Sequence, residues 1–224
     1  MMIDMAHFAG QVAAGLYPSQ INMADIVTTT FYKSLRGPRG AMILAKSKDI
    51  SEKVNRAVFP GYQGTPAFNI IAAKALNLSE ASHPSFKSYV QTSLNLASEL
   101  VDSLKASGFN VVTKSTDTSM VMVDFRNAAF SGKEASNLLE QVGIIANHNL
   151  IPFDKRCAHE GSGLRLCTNV MAARELEHVS TEIFEVITDV FHSLSNGHSL
   201  DIAKISERVN WLINTYKTSK IQAN

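Results

Sequence analysis

The sequence predicts an α/β segment followed by an α+β segment, and three observations carry that expectation. Short apolar runs in the first part alternate with glycine and proline signals, the pattern of strands in a layered sheet. From Phe86 to Leu104 apolar residues recur at three- and four-residue spacing, which marks one buried helical face. Beyond it, strand-like and helix-like runs are mixed without an internal repeat, an order that suits an α+β domain.

Taken in order, Met1–Met5, Asp25–Thr29 and Ala41–Ala45 read as short strands. Asp49–Val58 reads as a helix, and Pro66–Leu78 as another that opens at a proline and runs through Ile70, Ile71 and Ala75. A boundary is expected near Ser82-His83-Pro84. The next helix turns Phe86, Tyr89, Val90, Leu94, Ala97, Leu100, Val101 and Leu104 inward, and Gly108 stops it. Phe109–Thr113 and Met120–Phe125 follow as strands joined by a polar turn, with Met120 and Met122 as core packing. Lys133–Val142 is an amphipathic helix facing Ala135, Leu138, Leu139 and Val142 inward. Leu164–Thr168 is a further strand, and helices over Ala172–Leu194 and Leu200–Tyr216 complete the pattern, the last anchored by Trp211. The expected division is 1–83, a linking helix 84–107, and a smaller domain 108–224.

Composition sets the class. The chain has 224 residues, 45% of them hydrophobic, enough for one large or two small cores. A net charge of +1 and the lack of a basic run argue against nucleic acid as a partner. Cys157 and Cys167 stand ten positions apart with no Cys-x-x-Cys pair, and the seven histidines are scattered, so no metal site is expected. No apolar run reaches the length of a membrane span, since Val12–Leu16 is short and broken by Gly15. The first residues show no basic region ahead of an apolar one, and the compartment stays open.

The chemistry centres on Lys33, which closes the run Thr28-Thr29-Thr30-Phe31-Tyr32-Lys33 and precedes the turn Gly37-Pro38-Arg39-Gly40. A lysine at a strand's end can be held in a pocket, where partial burial and the cationic Arg36 and Arg39 lower an ammonium's pKa and favour Schiff-base formation with carbonyl compounds. Arg36 and Arg39 themselves are read as serving the turn. Asp4 stands 29 positions upstream, within a short apolar strand, where a carboxylate suits the pyridinium nitrogen of pyridoxal phosphate. His7 could stack on such a ring or hydrogen-bond to it. Taken singly, a capping role for Asp4 and a half-buried structural role for His7 are the commoner readings.

Together these segments resemble serine hydroxymethyltransferase, a fold-type I pyridoxal-phosphate (PLP) enzyme. Asp4-Met5-Ala6-His7-Phe8-Ala9-Gly10 is similar to its aspartate-histidine strand, and Val27–Gly40 to its lysine segment. Phe59-Pro60-Gly61-Tyr62-Gln63-Gly64-Thr65-Pro66 resembles its Pro-Gly-x-Gln-Gly-Gly-Pro loop, and Asn147-His148-Asn149 and Gly163-Leu164-Arg165-Leu166 match two later motifs in order. The likeness runs to about Arg174. It implies the end of the large PLP-binding domain of the aminotransferase-like fold, followed by the small C-terminal domain. It also implies serine–glycine interconversion with tetrahydrofolate as one-carbon acceptor. By the same resemblance Lys33 forms the Schiff base, Asp4 pairs with the pyridinium nitrogen, and His7 faces the phenolic oxygen. Thr30 lies close to the Schiff base. Gly64 and Thr65 offer amides to the phosphate of a cofactor held by a neighbouring subunit, Arg165 takes the substrate carboxylate, and Asn149 belongs to the folate site. A homodimer or an association with a longer subunit is implied. A generic aminotransferase would keep the lysine but not the later motifs.

The departures cluster at these motifs. Phe31 and Tyr32 stand where the family has threonine and histidine, Thr65 replaces a glycine, Ala67-Phe68-Asn69 replaces a histidine-rich stretch, and Cys167-Thr168-Asn169-Val170 replaces Gly-Thr-Pro-Ala. A tyrosine titrates near pH 10, not near neutrality as histidine does, so proton transfer at position 32 is altered. The resemblance also implies that the family's N-terminal half, which completes the site, lies outside this chain. The expectation is therefore an impaired enzyme portion or a non-catalytic relative that binds full-length subunits.

Overall fold

The computed structural model describes residues 1–215, which form two compact units, Met1–Gln91 and a second beginning at Thr92.

In the first unit, β1 (Met2–Asp4) pairs in parallel with β2 (Ile26–Thr30), placing Ile3 beside Val27 and Asp4 beside Thr28. β2 then pairs antiparallel with β3 (Ala41–Ala45), Thr30 opposite Ala41 and Thr28 opposite Ile43. The sheet order is β1-β2-β3. β-branched Ile26, Val27, Thr28, Thr29 and Thr30 fit a pleated surface. Their alternation buries Val27 and Thr29 and turns Thr28 and Thr30 to the opposite, more open face. Between β1 and β2 lies α1 (Ala9–Ala13), a helix that the sequence reading did not contain. It is short, and its Ala-Gly-Gln-Val-Ala sequence has no cap signal.

α2 (Lys48–Arg56) starts at Ser47, whose hydroxyl accepts from Ile50 N at 3.4 Å, as N-cap residues do. It ends before the expected Val58. The chain widens into a single turn over Ala57–Tyr62, where Pro60 lacks the amide an α-helix needs. α3 (Phe68–Ala81) follows, beginning two residues after Pro66. Phe59, Tyr62, Phe68, Ile71 and Leu76 are all exposed here. α4 (Pro84–Ala106) carries the expected period, with Phe86, Tyr89 and Val90 buried in the first unit. Further along, Leu96, Ala97, Leu100, Val101 and Leu104 are buried in the second, Leu96 taking the inward place expected of Leu94.

The second unit is built on a four-stranded antiparallel sheet, β4 (Asn110–Val111), β5 (Met120–Asp124), β6 (Asn147–Asn149) and β7 (Gly163–Cys167), in the order β4-β5-β7-β6. β4 is shorter than the expected Phe109–Thr113, because Thr113 and Lys114 both take positive φ, 64° and 63°, and turn the chain. On β5 the valines face inward: Val121 and Val123 are fully buried, while Met120 and Met122 are half-buried, which corrects the reading of the two methionines as the core. α5 (Gly132–Gln141) opens with a capping box: Ser131 Oγ accepts from Glu134 N, and the Glu134 carboxylate accepts from Ser131 N at 2.7 Å. It buries Ala135 and Leu139, with Val142 just past its end.

The single helix expected over Ala172–Leu194 is three pieces: α6 (Asn169–Ala173), a 3₁₀ turn over Glu177–Val179, and α7 (Ser180–Asn196). Glu175, at φ 55°, makes the break. α7 stops at Gly197 in the left-handed conformation, an ordinary glycine C-cap. α8 (Ile202–Thr215) ends the described chain, and the expected end at Tyr216 lies outside the described residues. Trp211 does not anchor it. That side chain is 59% exposed, and Val209 and Leu212 are the buried contacts, Leu212 clustering with Leu176 and Val179. The aromatic heart of this unit is Phe125, which meets Phe191 edge-on at 5.0 Å and Phe130 at 4.8 Å.

Candidate active site

Parallel pairing points the carboxyl ends of β1 and β2 the same way, and the sequence-predicted residues sit at or just past those ends. Asp4 is the last residue of β1, Thr30 the last of β2, and Lys33 follows three positions on. Because registered partners share a face, Asp4 lies on the same side of the sheet as Thr28, and Thr30 two residues further along shares it. Ligands of α/β sheets bind outside the carboxyl ends of the parallel strands. Asp4, Thr30 and Lys33 are therefore brought to one end of the first unit.

Asp4 is exposed, and its Oδ1 accepts from Ala6 N at 2.9 Å, a local turn bond that orients the carboxylate. His7 is exposed in the turn between β1 and α1. Thr30 Oγ1 is buried with no hydrogen-bond partner, an unusual state for a polar atom. Lys33 is half-buried, its Nζ 5.7 Å from the centre of the Tyr32 ring. Arg39 lies over the same ring at 5.1 Å, and Arg36 over Tyr89 at 4.1 Å, so both arginines serve the turn through cation–π contact. An open carboxylate, an unsatisfied hydroxyl and a half-buried amine at one sheet end fit a ring with a basic nitrogen and polar substituents, as PLP has.

Gly64 and Thr65 are placed differently. They occupy an exposed segment between the widened turn and α3, and a side-chain atom added at Gly64 would meet nothing within 4 Å. Within this chain they are surface.

The second unit assembles its own pair. Arg165 on β7 is opposite Met122 of β5 and Asn147 of β6, while Asn149 is opposite Gly163. Arg165, Asn147 and Asn149 thus share one face, with Leu164 and Leu166 buried on the other. Asn149 Oδ1 is buried and unpartnered, a second orphan acceptor at a sequence-predicted position.

Between Asn149 and Arg165 the sequence reading missed a hub. Asp154 accepts from Ser162 Oγ at 2.7 Å, Ser162 N at 2.7 Å, Arg156 N at 2.9 Å and Ile151 N at 3.3 Å. Arg156 in turn donates to Phe125 O at 3.2 Å and Ala128 O at 2.9 Å. Burial opposes ionisation of Asp154, but the bonds from Ser162, Arg156 and Ile151 outweigh it and hold the carboxyl far below the usual range. The only local signal was an Asp two residues before a turn amide. Asp154→Ala is expected to destabilise by roughly 2–4 kcal/mol, because the amide and hydroxyl of buried Ser162 both lose the acceptor they share. The pH dependence has a definite sign. A depressed folded-state pKa stabilises above the unfolded value near 4 and is lost as pH falls through the folded one, so the wild type weakens below about pH 5. Urea midpoints across acid pH should show that slope flattened in Asp154→Asn; an unchanged slope would remove Asp154 from the explanation.

Among the described residues no group of three His, Cys, Asp or Glu could hold a metal ion, and no helix is long and apolar enough to cross a membrane. Cys157 and Cys167 are both exposed and free.

The first unit is a mixed α/β unit with Asp4 at a strand end and Lys33 just past its neighbour, and comparison with known proteins gives the family. Residues 1–189 match the family described as serine hydroxymethyltransferase. Serine hydroxymethyltransferase 2 of Rhodospirillum rubrum is 46% identical over 209 residues, covering 92% of this chain and 49% of that protein. The serine hydroxymethyltransferases of Caulobacter sp. and Prochlorococcus marinus are 41% and 42% identical, over 93% and 94% of this chain and 49% and 52% of their own lengths. The chain belongs to the serine hydroxymethyltransferase family, and it spans about half the length of the curated relatives it matches.

Proposed function

We propose that this chain is the lysine-bearing portion of a PLP-dependent serine hydroxymethyltransferase, acting on serine and glycine with tetrahydrofolate once the rest of the family's length is supplied by a longer product or partner chain. The observation that carries the reading is the placement of Asp4 and Lys33 at the carboxyl ends of neighbouring parallel strands. PLP supplies the electron sink that such chemistry requires. The chain's own residues divide the remaining work. Lys33 offers the amine that anchors the cofactor, and Asp4 keeps the ring nitrogen protonated. Thr30 Oγ1 gives its unsatisfied hydroxyl to the polar edge, and His7 faces the phenolic oxygen. Arg165 grips a carboxylate with its planar fork, and Asn149 gives its orphan amide oxygen to the folate. Gly64 and Thr65 serve the phosphate of a cofactor in a neighbouring subunit, which accords with their exposure here.

One observation favours a second reading, a non-catalytic relative that binds full-length subunits. Tyr32, which stands where the family has histidine, is 42% exposed and held between Lys33 and Arg39, so a phenol and not an imidazole lies beside the amine. The test is to co-express the chain with the half of the Rhodospirillum rubrum relative that it does not match and record the visible absorbance of lysine-bound cofactor. The expected result is a clear band in the wild type and its loss in Lys33→Ala. A band that survives Lys33→Ala sinks the proposal. A complex that forms without any band moves the chain to the second reading.

A further inference from the structure

The residues after Lys33 are held from three directions. Ser34 Oγ accepts from Gly10 N of α1 at 2.9 Å, and Ser34 O accepts from the Tyr89 hydroxyl of α4 at 3.3 Å. Leu35 O accepts from Asn77 Nδ2 of α3 at 2.8 Å. The turn is also closed on itself: Arg36 N donates to Lys33 O at 2.9 Å, Gly37 N to Phe31 O at 2.7 Å, and Phe31 N to Gly40 O at 3.1 Å. Ser34, Leu35, Asn77 and Tyr89 are all buried.

The loop carries one strained residue and one close approach to Asn77. Arg36 is a non-glycine residue at φ 59°, a sparsely populated conformation that persists only when its surroundings enforce it. Gly37 lies so close to Asn77 that an added Cβ would stand 2.4 Å from Asn77 Oδ1. Strain next to a reactive group is grounds for a functional hypothesis. A lysine side chain has a flexible four-carbon stem, so the accuracy with which its amine is delivered depends on how firmly its backbone is fixed.

We propose that Asn77, with Tyr89, is a positioning residue for Lys33: the two side chains pin Leu35 O and Ser34 O and so fix the strained turn from which the Lys33 amine is presented. The inference rests on the reading of Lys33 as the cofactor-binding amine. Neither side chain touches the cofactor in it. They act through two carbonyls, 42 and 55 positions away in sequence.

The test uses the full 224-residue chain co-expressed with the half of the Rhodospirillum rubrum relative that it does not match, and PLP itself. Samples are incubated with increasing PLP, reduced with borohydride, and mapped lysine by lysine, while hydrogen exchange of the Gly37 amide reports the turn. The wild type should label Lys33 saturably and well ahead of exposed Lys53. Asn77→Leu, which keeps the volume and removes the donor, should raise the half-saturating PLP concentration at Lys33 at least fivefold and speed Gly37 exchange at least tenfold. Labelling of Lys53 should not change. Tyr89→Phe, which removes one hydroxyl, should move both readouts the same way by a smaller factor, and it replaces Asn77→Leu if that variant does not fold. Unchanged Lys33 labelling or unchanged Gly37 exchange in a folded variant overturns the positioning role and leaves the reading of Lys33 standing. A wild type in which Lys33 labels no better than Lys53 overturns that reading and this inference with it.

Discussion

Gly132→Ala is expected to destabilise the second unit by about 3–5 kcal/mol, near the upper end for single substitutions. A Cβ at position 132 would stand 2.1 Å from Gly163 O, 2.9 Å from Gly163 C and 3.3 Å from Gly161 O. All three are backbone atoms, so no rotamer change relieves the overlap. The first turn of α5 or the start of β7 must move, and both are committed. Gly132 N donates to Gly161 O at 2.8 Å, and Gly163 is in register with both Asp124 and Asn149. Moving β7 therefore disturbs the strand that carries Arg165. Against a typical stability of roughly 5–15 kcal/mol, a loss of that size should appear as insoluble expression or a collapsed urea midpoint. Gly64→Ala is the comparison, with nothing within 4 Å of the new methyl, and its stability should match the wild type. Equal midpoints for Gly132→Ala and wild type would mean that α5 and β7 can separate at no cost.

Gly10→Ala is the corresponding test in the first unit. Its Cβ would lie 2.7 Å from Ser34 O and 2.9 Å from Ser34 Cβ, while Gly10 N holds Ser34 Oγ. Two effects compete. Alanine gains up to about 1 kcal/mol of helix propensity over glycine, but a clash with backbone usually costs about 1–3 kcal/mol. α1 has only five residues, so the propensity gain is small and the clash wins. The expected net loss is about 2 kcal/mol. It should come with poorer delivery of Lys33, whose neighbour is the residue displaced. A gain in stability would show that α1 can slide away from the Lys33 turn.

Much of this was legible in the sequence because the relevant signals were local. β3 lies on the apolar run Ala41–Ala45 that the sequence marks, and α5 (Gly132–Gln141) covers most of the predicted Lys133–Val142. Lys33, Asp4, Arg165 and Asn149 were picked out through motifs; Asp4, Asn149 and Arg165 lie on strands, and Lys33 lies in the turn after β2. What escaped depends on distant partners or on single backbone torsions. Nothing near Asn77 tells that its amide meets Leu35, and nothing near Asp154 tells that Ser162 will be its donor. The break at Glu175 comes from one left-handed residue inside a periodic run, and periodicity alone reads through it. Trp211 misled because size suggested an anchor, whereas the phase of α8 placed Val209 and Leu212 inward instead.

The pairing of β2 with β3 also bears on the order in which the first unit comes together. Thr30 and Ala41 close a loop of ten residues, and that loop holds Lys33. Asp4 reaches Thr28 only after a separation of 24 residues. Loop closure grows costlier with length, and non-local pairing is slower. The hairpin that holds the lysine turn is therefore expected to pair before Asp4 joins Thr28.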